Sequence, residues 1–148
     1  PGGEMAAAAK YDKDNIFAKI IRGEIPSYKV FETDHALAIL DAFPVRDGHC
    51  LLLPKGDTTD VGDMSEEHAA KALSALPRLC NAVKKATGCT AVNVVSNAGG
   101  DAGQLVFHTH FHVIPRFADD ADFFHLPPNS KDMITKEKAD ALLAKLAA

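Results

Sequence analysis

No apolar run in this chain approaches the ~20 residues that a membrane-spanning helix requires, so a membrane partner is not expected. A run of one charge is also missing. The formal net charge of −4 is spread over 16 basic and 20 acidic residues. That scatter offers no basic face to nucleic acid or to an anionic lipid surface. Cysteine is scarce: Cys50, Cys80 and Cys89 are odd in number and unclustered. They fit reduced thiols better than a disulfide framework. No secretory pattern follows Met5, which is read as the native start after the remnant Pro1-Gly2-Gly3-Glu4. The expected compartment is the cytoplasm, with the nucleus left open. What remains is a length of 148 residues, enough for one domain with a core of its own.

Punctuation sets out the expected elements. Asp14-Asn15 can cap a short helix carrying Ile16, Phe17, Ile20 and Ile21 and ended by Gly23. Strands are expected at 28–32, 36–41 and 49–54, separated by polar turns. Ser65, with Glu66 and Glu67 behind it, opens a long helix ending before Gly88, with Leu73, Leu76, Leu79 and Val83 at helical spacing. Pro77 should kink that helix. Strands at 91–96 and 105–115 follow, then an irregular loop over 119–130. Thr135 caps a final helix bearing Leu142, Leu143 and Leu146. Few helices among many strands imply an α+β sheet rather than repeating βαβ units.

The most informative stretch is Val106-Phe107-His108-Thr109-His110-Phe111-His112-Val113-Ile114. Alternation of this kind marks a strand, with three imidazoles on one face and Phe107, Thr109, Phe111 and Val113 on the other. One histidine there would ordinarily be a satisfied, partly buried residue. Three in register suit a metal or an anion held by ring N–H donors. A metal would need a further ligand, and one strand rarely supplies three in tetrahedral geometry. The preceding loop, Asn97-Ala98-Gly99-Gly100-Asp101-Ala102-Gly103-Gln104, lets backbone N–H groups approach a phosphate closely. Alone it is an ordinary connection; before the histidines it is a candidate phosphate cradle.

The run from Asn97 through Gly103-Gln104-Leu105 to His112-Val113-Ile114-Pro115 resembles the signature of the histidine-triad (HIT) nucleotide-binding superfamily. The resemblance extends over 15–117. Asn15-Ile16-Phe17-Ala18-Lys19-Ile20-Ile21-Arg22-Gly23-Glu24-Ile25-Pro26 is similar to the family's N-terminal helix. Leu37 to Asp41 and Gly48-His49 to Pro54-Lys55 resemble its next strands. The chain looks most like the Hint branch. This implies a five-stranded antiparallel sheet with a short N-terminal helix, a long central helix and a C-terminal helical extension. It also implies a homodimer paired through the long helix and last strand. The expected division is a disordered tag and tail over 1–14, a HIT domain over 15–117 and an extension over 118–148.

The same resemblance implies a hydrolase of P–N bonds that acts on purine nucleoside 5′-phosphoramidates, releases AMP and needs no cofactor. His110 would be the nucleophile, forming a nucleotidyl-histidine that water cleaves. Its other ring nitrogen should donate to a carbonyl that fixes the tautomer. His112 would hold the phosphate, and His108 and His49 would position their neighbours. Asp41 would accept the ribose hydroxyls, with Ala42 beside it. Ile16, Phe17, Ile20 and Leu40 would form the slot for the base. Asn97, Gly103, Gln104 and the Leu105 N–H would surround the phosphate. On residue type alone, Asp41 is a turn aspartate and the apolar four are core.

Two departures stand out. Relatives usually carry Ser or Thr where this chain has Leu105, which removes a donor near the leaving group and predicts weaker turnover. Some relatives bind zinc through positions that here are Asn15, Ala18 and Asp57, so no four-ligand set remains and no metal is expected. Dinucleoside polyphosphate hydrolysis is the alternative activity, and a nucleotide sensor or scaffold with little catalysis is the alternative class. His125-Leu126-Pro127-Pro128 could close over a site or simply pack as a tail.

Overall fold

The computed structural model describes residues 10–120 and 130–147; His125-Leu126-Pro127-Pro128 lies outside them. The chain divides into two compact units, one ending at Ala118 and the other beginning at Asp119. In the second, Thr135 accepts the Lys138 N–H through its side chain and opens helix α4, Lys136–Leu146, as its sequence predicts.

The first unit is a five-stranded antiparallel sheet in the order β1-β2-β3-β5-β4. Its strands are β1 Lys29–Glu32, β2 Ala36–Leu40, β3 Cys50–Pro54, β4 Ala91–Val95 and β5 Phe111–Arg116. β2 and β3 are buried almost throughout, because helices cover both faces of the sheet. On one face Ala36, Ala38, Cys50, Leu52, Phe111 and Val113 meet Leu79 and Val83 of α3, Leu76–Thr87. On the other, Leu37, Ile39, Leu51 and Leu53 meet Phe17, Ile20 and Ile21 of α1, Ile16–Ile21. Asn15 caps α1 by accepting the Ala18 N–H.

Two expectations are corrected here. The helix opened by Ser65 does not kink at Pro77; it stops. α2 covers Glu66–Leu73 and α3 restarts at Leu76, with Pro77 in its first turn. Pro77 has no N–H to give the carbonyl of Leu73, and it fits the first turn, where no such bond is needed. Gly88 ends α3 in the left-handed conformation at φ 77, as the sequence indicates.

The second correction concerns the histidines. β5 begins at Phe111, so His108, Thr109 and His110 lie ahead of the ladder rather than within it. Leu52 pairs with Phe111, which would set Pro54 opposite Thr109, and proline has no N–H to continue the ladder. The ladder therefore holds only from Phe111 onward, although His108 and His110 still turn their rings towards Phe17, on the side of His112. Phe107 is exposed, and Thr109 is fully buried in hydrogen bonds rather than in the apolar core.

Candidate active site

His112 sits on β5 opposite Leu51, and so emerges on the face that α1 covers. His110 precedes it on the same side, its ring 4.8 Å from that of Phe17 and 5.2 Å from that of His112. The approach is fixed by backbone anchors. Thr109 donates its N–H to the Thr58 carbonyl at 2.9 Å, and the two threonine hydroxyls meet at 2.8 Å. Within one planar trans peptide the N–H and C=O point oppositely, so this anchor turns the His108 carbonyl the other way. It meets His110 Nδ1 at 2.6 Å.

These contacts determine where each ring proton lies. A carbonyl can only accept, so His110 carries its proton on Nδ1 and leaves a lone pair on Nε2. This is the carbonyl-fixed tautomer expected for a nucleophile. The Val45 N–H donates to His49 Nδ1 at 3.1 Å, so His49 carries its proton on Nε2. That N–H faces His112 Nδ1 at 2.9 Å and Asp41 Oδ2 at 3.4 Å. His112 in turn keeps its proton on Nε2, as a donor. His108 donates from Nε2 to the Pro54 carbonyl at 2.8 Å. Three rings present a proton on Nε2 and one, His110, presents a lone pair.

Burial favours the neutral form of all four. It holds His49, His108 and His110 below the ordinary imidazole value. His112 is pushed down to about 4, first by burial and then by His110 and His49.

Asp41, His49 and His112 lie close enough together to suggest a metal, their candidate ligand atoms all within 4.8 Å. The tautomers argue against it, because His49 accepts at Nδ1 and offers a proton, not a lone pair, at Nε2. The zinc positions of relatives fit no better. Asn15 spends its side chain on the helix cap, Ala18 has no donor atom, and Asp57 pairs with Lys13. His108 is engaged at both ring nitrogens.

A cavity of about 460 Å³ opens beside His112. Ile16, Phe17, Ile20, Leu40, Asp41 and Ala42 all line it, so the structure brings the expected slot together. Asp41 Oδ1 accepts the Phe43 N–H, which holds the carboxylate at the rim. Sequence reasoning missed Pro26, Tyr28, Phe43 and Val106, which share that lining. Only Phe43, two positions after Asp41, carried a signal in the sequence; it and Tyr28 prove to be largely exposed aromatics.

The glycine loop follows β4, and Ser96 ties its start to the site by donating to the His110 carbonyl at 2.7 Å. Gly99 and Gly103 have φ of 97 and 93, which the turn at Gly100–Ala102 requires. A Cβ on Gly103 would lie 3.8 Å from Asn97 Nδ2, so these two residues face one another across the loop. Gln104 acts differently from the expectation that it faces phosphate. Its buried amide accepts from the Gly99 N–H and donates to the carbonyls of Thr59 and Val106, holding the loop in shape. Leu105 is 89% exposed.

The HIT-domain family model matches residues 22–119. Adenosine 5′-monophosphoramidase HNT1 of Saccharomyces cerevisiae is 36% identical over 144 residues, covering 90% of this chain and 89% of the yeast protein. Adenylylsulfatase HINT3 of Arabidopsis thaliana is 40% identical over 115 residues, which are 78% of this chain but 58% of the plant protein. The crystal structure of a HIT family protein from Bacillus anthracis superposes with a TM-score of 0.83 at 35% identity, covering 90% of this chain and 95% of that one.

Proposed function

The chain belongs to the HIT-domain family, on its Hint-like branch, and from that premise we propose that it hydrolyses purine nucleoside 5′-phosphoramidates to AMP through His110. The observation that carries this reading is the 2.6 Å contact between His110 Nδ1 and the His108 carbonyl, which reserves the Nε2 lone pair for phosphorus. In the first step that lone pair forms the N–P bond while the P–N bond to the amine breaks, and the amine leaves with a proton taken from solvent. The positive charge on the nucleotidyl-imidazole is met by the His108 carbonyl at Nδ1–H. Water then attacks phosphorus and gives up a proton to solvent as the N–P bond breaks, and AMP departs with the His110 lone pair restored.

The neighbours serve this path. His112 Nε2–H donates to a phosphate oxygen, and His49 keeps it in that tautomer. Asp41 accepts from the ribose at the cavity rim, and the base lies among Ile16, Phe17, Ile20 and Leu40. Asn97, Gly103 and the Leu105 N–H surround the phosphate. The proposal includes the homodimer expected through the long helix and the last strand, with one change: β5 lies between β3 and β4, so the strand edge open to a second copy on that side is β4, where Val94 is 43% exposed. It also includes a cytoplasmic location.

The exposed Leu105 favours a second reading, a nucleotide sensor with little catalysis, because no hydroxyl stands there to assist the leaving group. AMP release from adenosine 5′-phosphoramidate, with diadenosine tetraphosphate as competitor, separates the readings. Preferential cleavage of the amidate supports the proposal. Preferential cleavage of the dinucleotide, or AMP binding without turnover, replaces it.

A further inference from the structure

Tyr11 lies 97 positions before His108, in the stretch read from sequence as a tail preceding the domain, yet its hydroxyl meets His108 Nδ1 at 2.6 Å. That boundary is corrected: residues 11–14 are tied to the fold. Asn15 donates its N–H to the Asp12 carbonyl, Arg22 donates to the Lys13 carbonyl, and Lys13 pairs with Asp57.

The direction of the Tyr11 bond follows from the far side of the ring. His108 Nε2–H donates to Pro54, so neutral His108 has only a lone pair at Nδ1 and Tyr11 must be the donor. Burial raises the phenol's pKa, which keeps that proton in place at neutral pH. His108 is thus held at both nitrogens, by Tyr11 before α1 and by Pro54 at the end of β3. Its own carbonyl is the group that fixes the His110 tautomer.

We propose that Tyr11 is a positioning residue for the nucleophile, its hydroxyl locking the His108 ring so that the His108 carbonyl stays aimed at His110 Nδ1–H. Tyr11 acts at two removes and touches no reacting atom. The Thr58 anchor orients the same peptide from the Thr109 side, so the two clamps share the task. The consequence for turnover rests on the function proposed above, whereas the consequence for the ring protons does not.

The test uses the full chain and its Tyr11→Phe and Tyr11→Ala variants, with ¹⁵N-labelled histidine. Nitrogen shifts report the tautomer of each ring directly. In the parent, His108 reads as protonated on Nε2 and His110 on Nδ1. In Tyr11→Phe the His108 Nδ1 resonance moves as it loses its donor, and His110 becomes a mixture of tautomers. With adenosine 5′-phosphoramidate, kcat falls by up to about tenfold, the net worth of one lost hydrogen bond, while KM stays within about twofold. An unchanged His110 signature in Tyr11→Phe overturns the proposal, whatever happens to His108. So does a Tyr11→Phe variant that matches the parent while Tyr11→Ala is impaired, because the ring's packing would then be the whole effect. If the parent fails to cleave the amidate, the proposed function is lost, and the His110 signature still decides the role of Tyr11.

Discussion

His49 Nε2 stands 2.9 Å from His112 Nδ1, and this contact determines which end of His112 faces the cavity with a proton. The direction is inherited from the backbone, since the Val45 N–H occupies the other nitrogen of His49. A main-chain donor thereby sets the polarity of the His112 ring, the proposed phosphate donor, through two successive hydrogen bonds. Replacing His49 by Leu frees His112 to move its proton to Nδ1, where it no longer serves the phosphate. AMP should bind up to about tenfold more weakly, the scale of one lost hydrogen bond. Isothermal titration with AMP checks this, and unchanged affinity in a folded variant would remove His49 from the site.

His110→Ala should abolish detectable turnover, a loss of at least about 10³-fold as for other covalent nucleophiles. Nucleotide binding should persist, because Asp41, His112 and the apolar cavity wall remain. The paired measurement is single-turnover AMP release beside equilibrium AMP binding. Turnover near the parent rate in a clean preparation would sink the nucleophile assignment.

Acid should act on rate and stability in the same direction. His110 must be neutral to attack, and burial lowers its pKa, so kcat/KM should be flat above about pH 6.5 and fall only below it. For stability, the unfolded histidines bind protons from near 6.5, while folded His112 resists until about 4. The unfolded chain therefore holds more protons in that window, and Tm should decline steadily from pH 7 to pH 5. Glu32, held down to about 2 by its hydrogen bonds to Lys29 and Lys55 and then by their charges, keeps its contribution in full above its ordinary 4.5 and loses it only as pH falls from there towards 2. A Tm that rises on acidification to pH 5 contradicts the buried neutral state of these rings.

Turn punctuation and capping residues were enough to locate all five strands and both flanking helices, although β2 and β3, buried on both faces, show no alternation. The pattern failed where covalent chemistry intervened. Pro54 stops the ladder short of Thr109, and Pro77 divides the helix, two effects of one missing N–H in each case. The candidate histidines were visible as a cluster and a carbonyl-fixed tautomer was expected for His110, but the tautomers of His49, His108 and His112 were not legible, since they depend on groups from Val45 and Pro54 that only the fold brings to them. Tyr11 gave no signal at all. A lone tyrosine outside any periodic segment has no pattern to betray its partner.

Leu105 offers the sharpest test of the chemistry. It follows the loop that Gln104 braces and is almost fully exposed, so changing it disturbs no core. Leu105→Ser supplies the hydroxyl that the family resemblance leads one to expect at this position, where the proposed reaction would release its amine. One well-placed donor of this kind is worth about 10²–10³ in rate in its native setting. A reintroduced one, without tuned surroundings, should give roughly tenfold in kcat. KM should move little, since the new bond forms as the amine leaves rather than when the nucleotide binds. Leu105→Ala serves as the control for simple relief of bulk. A rise in the serine variant alone assigns the gain to the hydroxyl, and equal rises in both assign it to space. No rise in either means that the amine departs here without help from this position.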